Sequence, residues 1–211
     1  MSETSLSLTR RVLLIAGLAL PGAAQAAVGG RKVVTILGDS ITAGFGLPAA
    51  DALPAQLQAE LKKLGSNAIV RGAGVSGDTT AGGLARVGFS VQPDTDVCVV
   101  ALGGNDVLNG VSVQTTRSNL EAIVRKLKTR KIRVVLTGLS APGGLGGEFA
   151  REFSAIFPAV AQAEKVPIYP NLLEGVLLDE RYNQADGIHP NAAGVKVIAR
   201  RLAPVVKRAL G

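Results

Sequence analysis

The sequence predicts an α/β fold built on a doubly wound, five-stranded parallel sheet, and two observations carry that expectation. Short, almost uninterrupted apolar runs recur along the chain, and helix-length amphipathic segments separate them. Continuous Val, Ile and Leu runs are the mark of strands buried on both faces. Each crossover between parallel strands needs a covering helix, so alternation of the two types predicts helices on both sides of one sheet. The strand runs are Val33 to Leu37, Ala68 to Val70, Val97 to Leu102, Ile132 to Thr137 and Val166 to Tyr169. Leu53, Leu57, Leu61 and Leu64 repeat at helical spacing, as do Leu120, Ile123, Val124 and Leu127, and then Phe149, Phe153, Ile156, Phe157 and Val160. A last helix is expected from about Asn191 to Leu210. Sheets of this kind place their sites at the carboxyl ends of the strands. The polar, glycine-rich segments there are residues 38–46, 72–80, 103–110 and 138–147.

A chain of 211 residues suits one such domain, and 47% hydrophobic with 18% charged residues is a globular composition. Aromatic residues make up only 3%, with no Trp, so the platforms that stack nucleic-acid bases or sugar rings are scarce. The net charge of +7 raises the question of an anionic partner. However, Lys62, Lys63, Arg125, Lys126 and Lys128 fall on helix faces, and Arg130, Lys131 and Arg133 cluster at a helix-to-strand junction. They read as solvated faces; no nucleic-acid partner is expected, and at most transient contact with a membrane surface.

Residues 1–26 read as an export signal. Thr9, Arg10 and Arg11 precede the apolar run Val12 to Leu20, and Ala24, Gln25 and Ala26 form an A-x-A cleavage pattern. The run is too short to span a bilayer, and the paired arginines fit a twin-arginine signal. The expected mature domain is 27–211, a monomer in the periplasm or the medium. Cys98, the single cysteine, lies in the third strand run and reads as a core thiol rather than a nucleophile.

Leu37, Gly38, Asp39, Ser40 and Ile41 put a serine directly after the first strand, where its hydroxyl can face the cleft and its N–H lies free at a helix start. By itself Ser40 reads equally well as a helix cap. His189, the only histidine, tips the balance, because a serine needs an adjacent base to act as a nucleophile near neutral pH. It stands in Asp186, Gly187, Ile188, His189 and Pro190, where Asp186 is near enough to fix the ring tautomer and Pro190 suits the first turn of the final helix. Two more loops offer oxyanion donors: Gly103, Gly104, Asn105 and Asp106, with an amide side chain, and Ser76, Gly77, Asp78 and Thr79, with a backbone N–H at glycine. Either alone passes as a turn or cap.

Gly72 to Gly77 matches G-x-G-x-x-G, but its strand is the second of the domain, and the acid about 20 residues on, Asp96, precedes the next strand instead of following it. A dinucleotide site is rejected on those grounds. There is no phosphate-cradling G-x-x-x-x-G-K-[ST], and one histidine and one cysteine supply no zinc cluster.

Together the four loops resemble the SGNH or GDSL hydrolase family, whose name lists a Ser, a Gly, an Asn and a His from separate blocks. Ser40, Gly77, Asn105 and His189 stand in that order across nearly the whole mature chain. Within the family, Ser76 to Thr80, Leu102 to Asp106, Phe153 to Pro158 and Asp186 to Asn191 are similar to the bacterial periplasmic thioesterases, arylesterases and lysophospholipases. The resemblance implies a three-layer, flavodoxin-like fold and a Ser40, His189 and Asp186 triad. It further implies an oxyanion hole of the Ser40 N–H, Gly77 N–H and Asn105 side chain, and no metal or organic cofactor. The glycine-rich stretch Ala141 to Gly147 departs from that subgroup.

The expected function is hydrolysis of acyl esters or thioesters of small-molecule or lipid substrates through an acyl-enzyme, the acyl chain resting on Val107, Leu108, Val111 and Leu145. An alternative within the same apparatus is a carbohydrate O-acetylesterase. An alternative from another class is a non-catalytic, flavodoxin-like binding protein.

Overall fold

The computed structural model describes Met1, residues 30–141 and residues 146–211; the expected export signal and Leu145 lie outside the described residues. Strands β1 (Val33–Gly38), β2 (Ile69–Gly74), β3 (Val97–Ala101), β4 (Arg133–Thr137) and β5 (Ile168–Tyr169) form one sheet in the order β2-β1-β3-β4-β5, with every pairing parallel. This is the flavodoxin-like strand order, and its direction of winding reverses between β1 and β3. The α/β, five-stranded parallel expectation is borne out.

Helices α1 (Ser40–Ala43), α2 (Leu53–Lys63), α3 (Thr80–Ser90), α4 (Gly104–Leu108), α5 (Val113–Thr129), α6 (Gly147–Glu164) and α7 (Ala192–Leu210), with a single 3-10 turn at Ala49–Asp51, complete the described elements. α2 packs on α7 in one layer, while α3 and α6 flank α5 in the other. The central strands are buried along their length, as their apolar runs require: β1 and β3 expose no residue. Leu57, Leu61, Leu120, Ile123, Leu127, Phe153 and Phe157 fill the space between sheet and helices. Cys98 is completely buried, and burial pushes its thiol up to about 12, so it has no nucleophilic role.

Four local readings change. β2 continues to Gly74, so Gly72 and Gly74 of the G-x-G-x-x-G match are strand residues paired with Ile36 and Gly38 of β1, not a phosphate-binding turn. α3 is absent from the sequence reading. Leu64 caps α2 and is 45% exposed, off the apolar face assigned to it. Pro190 precedes α7 rather than opening its first turn: Asn191 is the cap, its Oδ1 accepting from Ala193 N and Gly194 N at 2.9 and 3.0 Å. No helix among the described residues is long and apolar enough to cross a membrane.

The basic residues are largely engaged locally. Arg125 and Lys128 pair with Glu164, and Arg130 donates to the carbonyls of Val87 and Val91, capping the end of α3.

Candidate active site

β1 delivers the chain to the top of the sheet, and the turn into α1 is tight because of what surrounds Gly38. A side chain there would meet Thr42 Oγ1 at 2.1 Å and the Ala101 carbonyl at 2.9 Å. Asp39 then caps α1, its Oδ1 accepting from Ile41 N at 3.0 Å. Burial pushes the Asp39 carboxyl up to about 6, against the pull of the Ile41 N–H. Ser40 follows as the first residue of α1, nearly buried, and the hydroxyl faces the loop that precedes α7.

That loop is closed at its base by an antiparallel bridge between Asn183 and Pro190. Inside it, Asp186 Oδ1 accepts from the backbone N–H groups of Ile188 and His189, both at 2.9 Å. Its Oδ2 accepts from His189 Nδ1 at 2.6 Å, which leaves Nε2 to accept from Ser40 Oγ at 2.9 Å. The His189 backbone N–H, the imidazole and the Ile188 N–H together hold the Asp186 carboxyl down to about 2. The Phe45 ring lies against the imidazole, centroids 4.5 Å apart at 34°.

The other two loops meet beside Ser40. Asn105 Nδ2 donates to the Asp78 carbonyl at 2.9 Å, so one amide hydrogen is engaged and the second stays free. Asp106 is fully buried and accepts from Thr80 N at 2.8 Å, Thr80 Oγ1 at 2.5 Å and Thr116 Oγ1 at 3.2 Å, which ties the start of α4 to α3 and α5. Gly77 is exposed at φ +82, a conformation that glycine adopts without cost. Among the described residues, neither the Ser40 N–H nor the Gly77 N–H has a hydrogen-bond acceptor. Beneath both loops lies Arg86, 7% exposed. Its Nε donates to Asp78 Oδ2 at 2.5 Å, Nη1 to the Ala73 carbonyl at 2.8 Å and Nη2 to the Gly38 carbonyl at 2.7 Å. One buried cation thus joins the ends of β1 and β2 to the Gly77–Asp78 turn.

A cleft of about 370 Å³ opens at Ser40 and His189, and its walls are overwhelmingly apolar. Of the four expected acyl contacts, Val107 and Leu108 line it. Val111 does not, because its N–H bonds back to the Asp106 carbonyl at 2.9 Å and turns the chain away. Leu145 lies outside the described residues. Sequence reasoning missed Leu139, Phe153, Leu172, Leu173, Leu177 and Leu178, which also line the cleft. It also missed Phe45 and Arg86. The run Leu172 to Leu178 carried a usable signal: five of its seven residues are Leu or Val, and it follows the last strand at the carboxyl edge. Among the described residues no group of His, Cys, Asp and Glu could hold a metal ion.

A parallel sheet with a Ser–His–Asp chain at its carboxyl edge, beside free backbone donors and an apolar cleft, defines a class: serine acyl hydrolases. Residues 36–197 match the GDSL-like lipase/acylhydrolase family. The esterase TesA of Pseudomonas aeruginosa is 36% identical over 199 residues, 93% of this chain and 98% of the relative. The Escherichia coli enzyme named for thioesterase 1, protease 1 and lysophospholipase activities is 37% identical over 176 residues, 81% of this chain and 83% of its own. The solved structure of AlinE4, an SGNH-hydrolase family esterase, is 40% identical with a TM-score of 0.72, covering 88% of this chain and all of the other. The chain belongs to the GDSL-like lipase/acylhydrolase family and is an SGNH-type esterase or thioesterase, so the non-catalytic binding-protein alternative falls away.

Proposed function

We propose that Ser40, His189 and Asp186 are the catalytic residues and that the chain hydrolyses medium- to long-chain acyl esters or thioesters. The observation that carries this reading is the unbroken hydrogen-bond chain from Asp186 through His189 to Ser40, opening directly into the apolar cleft. His189 Nε2 takes the Ser40 proton as Oγ bonds to the acyl carbon, and the carbonyl electron pair moves onto oxygen. The resulting oxyanion accepts from the Ser40 N–H, the Gly77 N–H and the free Asn105 amide hydrogen. The protonated imidazole then passes its proton to the departing alcohol or thiol as the carbon–oxygen or carbon–sulfur bond breaks. Water repeats the sequence on the acyl-enzyme and releases the acid. Asp186, an anion down to about pH 2, stabilises the imidazolium formed twice in each cycle.

The apolar lining favours an acyl chain over a sugar: each methylene taken from water contributes about 0.8 kcal/mol, a factor of about four in kcat/KM. Hydrolysis of p-nitrophenyl esters of rising acyl length, with Ser40→Ala in parallel, tests the reading. The expected rate peaks beyond acetate and vanishes in the variant. Activity on acetate alone would point to the carbohydrate O-acetylesterase, and a rate that survives Ser40→Ala would remove Ser40 from the mechanism.

We further propose export from the cytoplasm with removal of residues 1–26, on the strength of the Arg10–Arg11 pair, the apolar run and the Ala24–Ala26 pattern. An intact mass of protein recovered from the cell envelope that retained Met1 would contradict it.

A further inference from the structure

We propose that Gln184 is a positioning residue that locks the base loop onto the nucleophile loop and so sets the Ser40–His189 distance. The inference rests on the catalytic assignment above. Ser40 and His189 come from opposite ends of the described chain, on α1 and on the loop before α7, and no strand or helix contains both. Something must register one loop against the other to within a fraction of an ångström for proton transfer to be efficient.

Gln184 is placed to do so. Its backbone belongs to the base loop: Gln184 N donates to the His189 carbonyl at 2.8 Å, and its own carbonyl accepts from Gly187 N at 3.0 Å. Its side chain leaves the loop, and Nε2 donates both hydrogens, one to the Phe45 carbonyl at 2.8 Å and one to the Pro190 carbonyl at 3.1 Å. Among the described residues the bond to Phe45 is the one hydrogen bond between residues 39–47 and 183–190 besides Ser40–His189 itself. The seat is fitted to the amide. Gly46 sits at φ +71, and a Cβ there would meet Gln184 Oε1 at 2.2 Å. The bond to Phe45 O also holds the residue whose ring covers the imidazole at 4.5 Å. Gln184 therefore fixes the His189 carbonyl, the following Pro190 carbonyl and the ring over the imidazole, without itself lining the cleft.

Two near-isosteric variants test this. Gln184→Met keeps the stem and removes both donors; Gln184→Glu places a carboxylate against two carbonyl oxygens. For wild type and both variants the measurements are kcat and KM on p-nitrophenyl butyrate across the imidazole pH range, the second-order rate of Ser40 phosphonylation by a small fluorophosphonate, and the melting temperature. The expected result is that kcat and phosphonylation fall together by about 10- to 100-fold, with KM within roughly twofold, because the lost quantity is alignment rather than substrate binding. Gln184→Glu should be at least as impaired as Gln184→Met. A merely structural residue would lower the melting temperature and leave both rates per folded molecule unchanged. Wild-type rates in the folded variants overturn the role of Gln184 alone, whereas a wild-type enzyme with no Ser40-dependent hydrolysis overturns the catalytic assignment.

Discussion

Truncating Arg86 should be among the costliest single changes near the site. Arg86→Met keeps the apolar stem and removes a guanidinium that makes three bonds, to Asp78 Oδ2 at 2.5 Å, the Ala73 carbonyl at 2.8 Å and the Gly38 carbonyl at 2.7 Å. A hydrogen bond to a charged group contributes about 1.5–3 kcal/mol, but the three share one cation and do not add. The Gly38 carbonyl, moreover, keeps a donor in Val75 N at 3.1 Å. The larger cost is what remains: with side chains 9% and 16% exposed, the pair is largely withdrawn from water, and Asp78 loses its partner charge. Breaking a buried pair from one side costs about 3–5 kcal/mol, a large share of the 5–15 kcal/mol that is typical of whole-domain stability. Urea unfolding at neutral pH measures it directly. Arg86→Met with Asp78→Asn should be less destabilised than Arg86→Met alone, since an amide leaves no orphaned charge. Hydrolysis should fall as well, because the Asp78 carbonyl holds Asn105. A loss below about 1 kcal/mol, the range of an exposed ion pair, would refute the reasoning.

Two further predictions concern the cleft. The folded protein holds the Asp39 proton up to about pH 6, whereas the ordinary value is 3.8. The native state therefore binds the extra proton between those values and loses stability as pH rises through them, by about 3 kcal/mol at most. Asp39→Asn keeps a cap acceptor for Ile41 N and removes that slope, so its stability relative to wild type should rise between pH 4 and pH 7 in chemical denaturation; an equal difference at both would contradict the assignment. Leu178, 70% exposed, lines the cleft at φ 63, a left-handed conformation that is strained for a leucine. Leu178→Gly should leave stability unchanged or raise it by up to about 1 kcal/mol, while lowering kcat/KM on long-chain esters about fivefold relative to acetate. An unchanged chain-length ratio would count against Leu178 as an acyl contact.

What was legible in the sequence follows from where specification is local. β1 and β3 declare themselves because both faces are buried, so every position must be apolar. β2 is an edge strand, half-buried, and Arg71 and Gly72 interrupt its pattern although its pairing with β1 continues to Gly74. α3 escaped because Gly82, Gly83 and Gly88 argue against a helix by propensity. Yet Gly83 is there for packing, since a Cβ would meet Cδ1 of the fully buried Leu102 at 2.2 Å and oblige that side chain to move. Tertiary contact overrode local preference at that point.

The same division runs through the site. Ser40, His189 and Asp186 stood out in the sequence as candidates because a serine nucleophile needs a nearby base and a group to orient that base, and the fold brings the three into one hydrogen-bond chain. The residues that hold them carry no such signature. Gln184 matters for a carbonyl 139 positions away, Arg86 for one 48 positions away, and Asp106 for Thr80, 26 positions before it. In each case the side chain is an ordinary polar residue whose role exists only once the fold has brought a distant backbone group opposite it. Val111 was misplaced for the mirror-image reason: it is near Asn105 in sequence, but a single backbone bond to Asp106 directs it out of the cleft. Reacting groups are specified by chemistry and supporting groups by geometry, so substitutions that impair catalysis without touching substrate should concentrate at Gln184, Arg86 and Asp106, positions to which sequence alone assigns no supporting role.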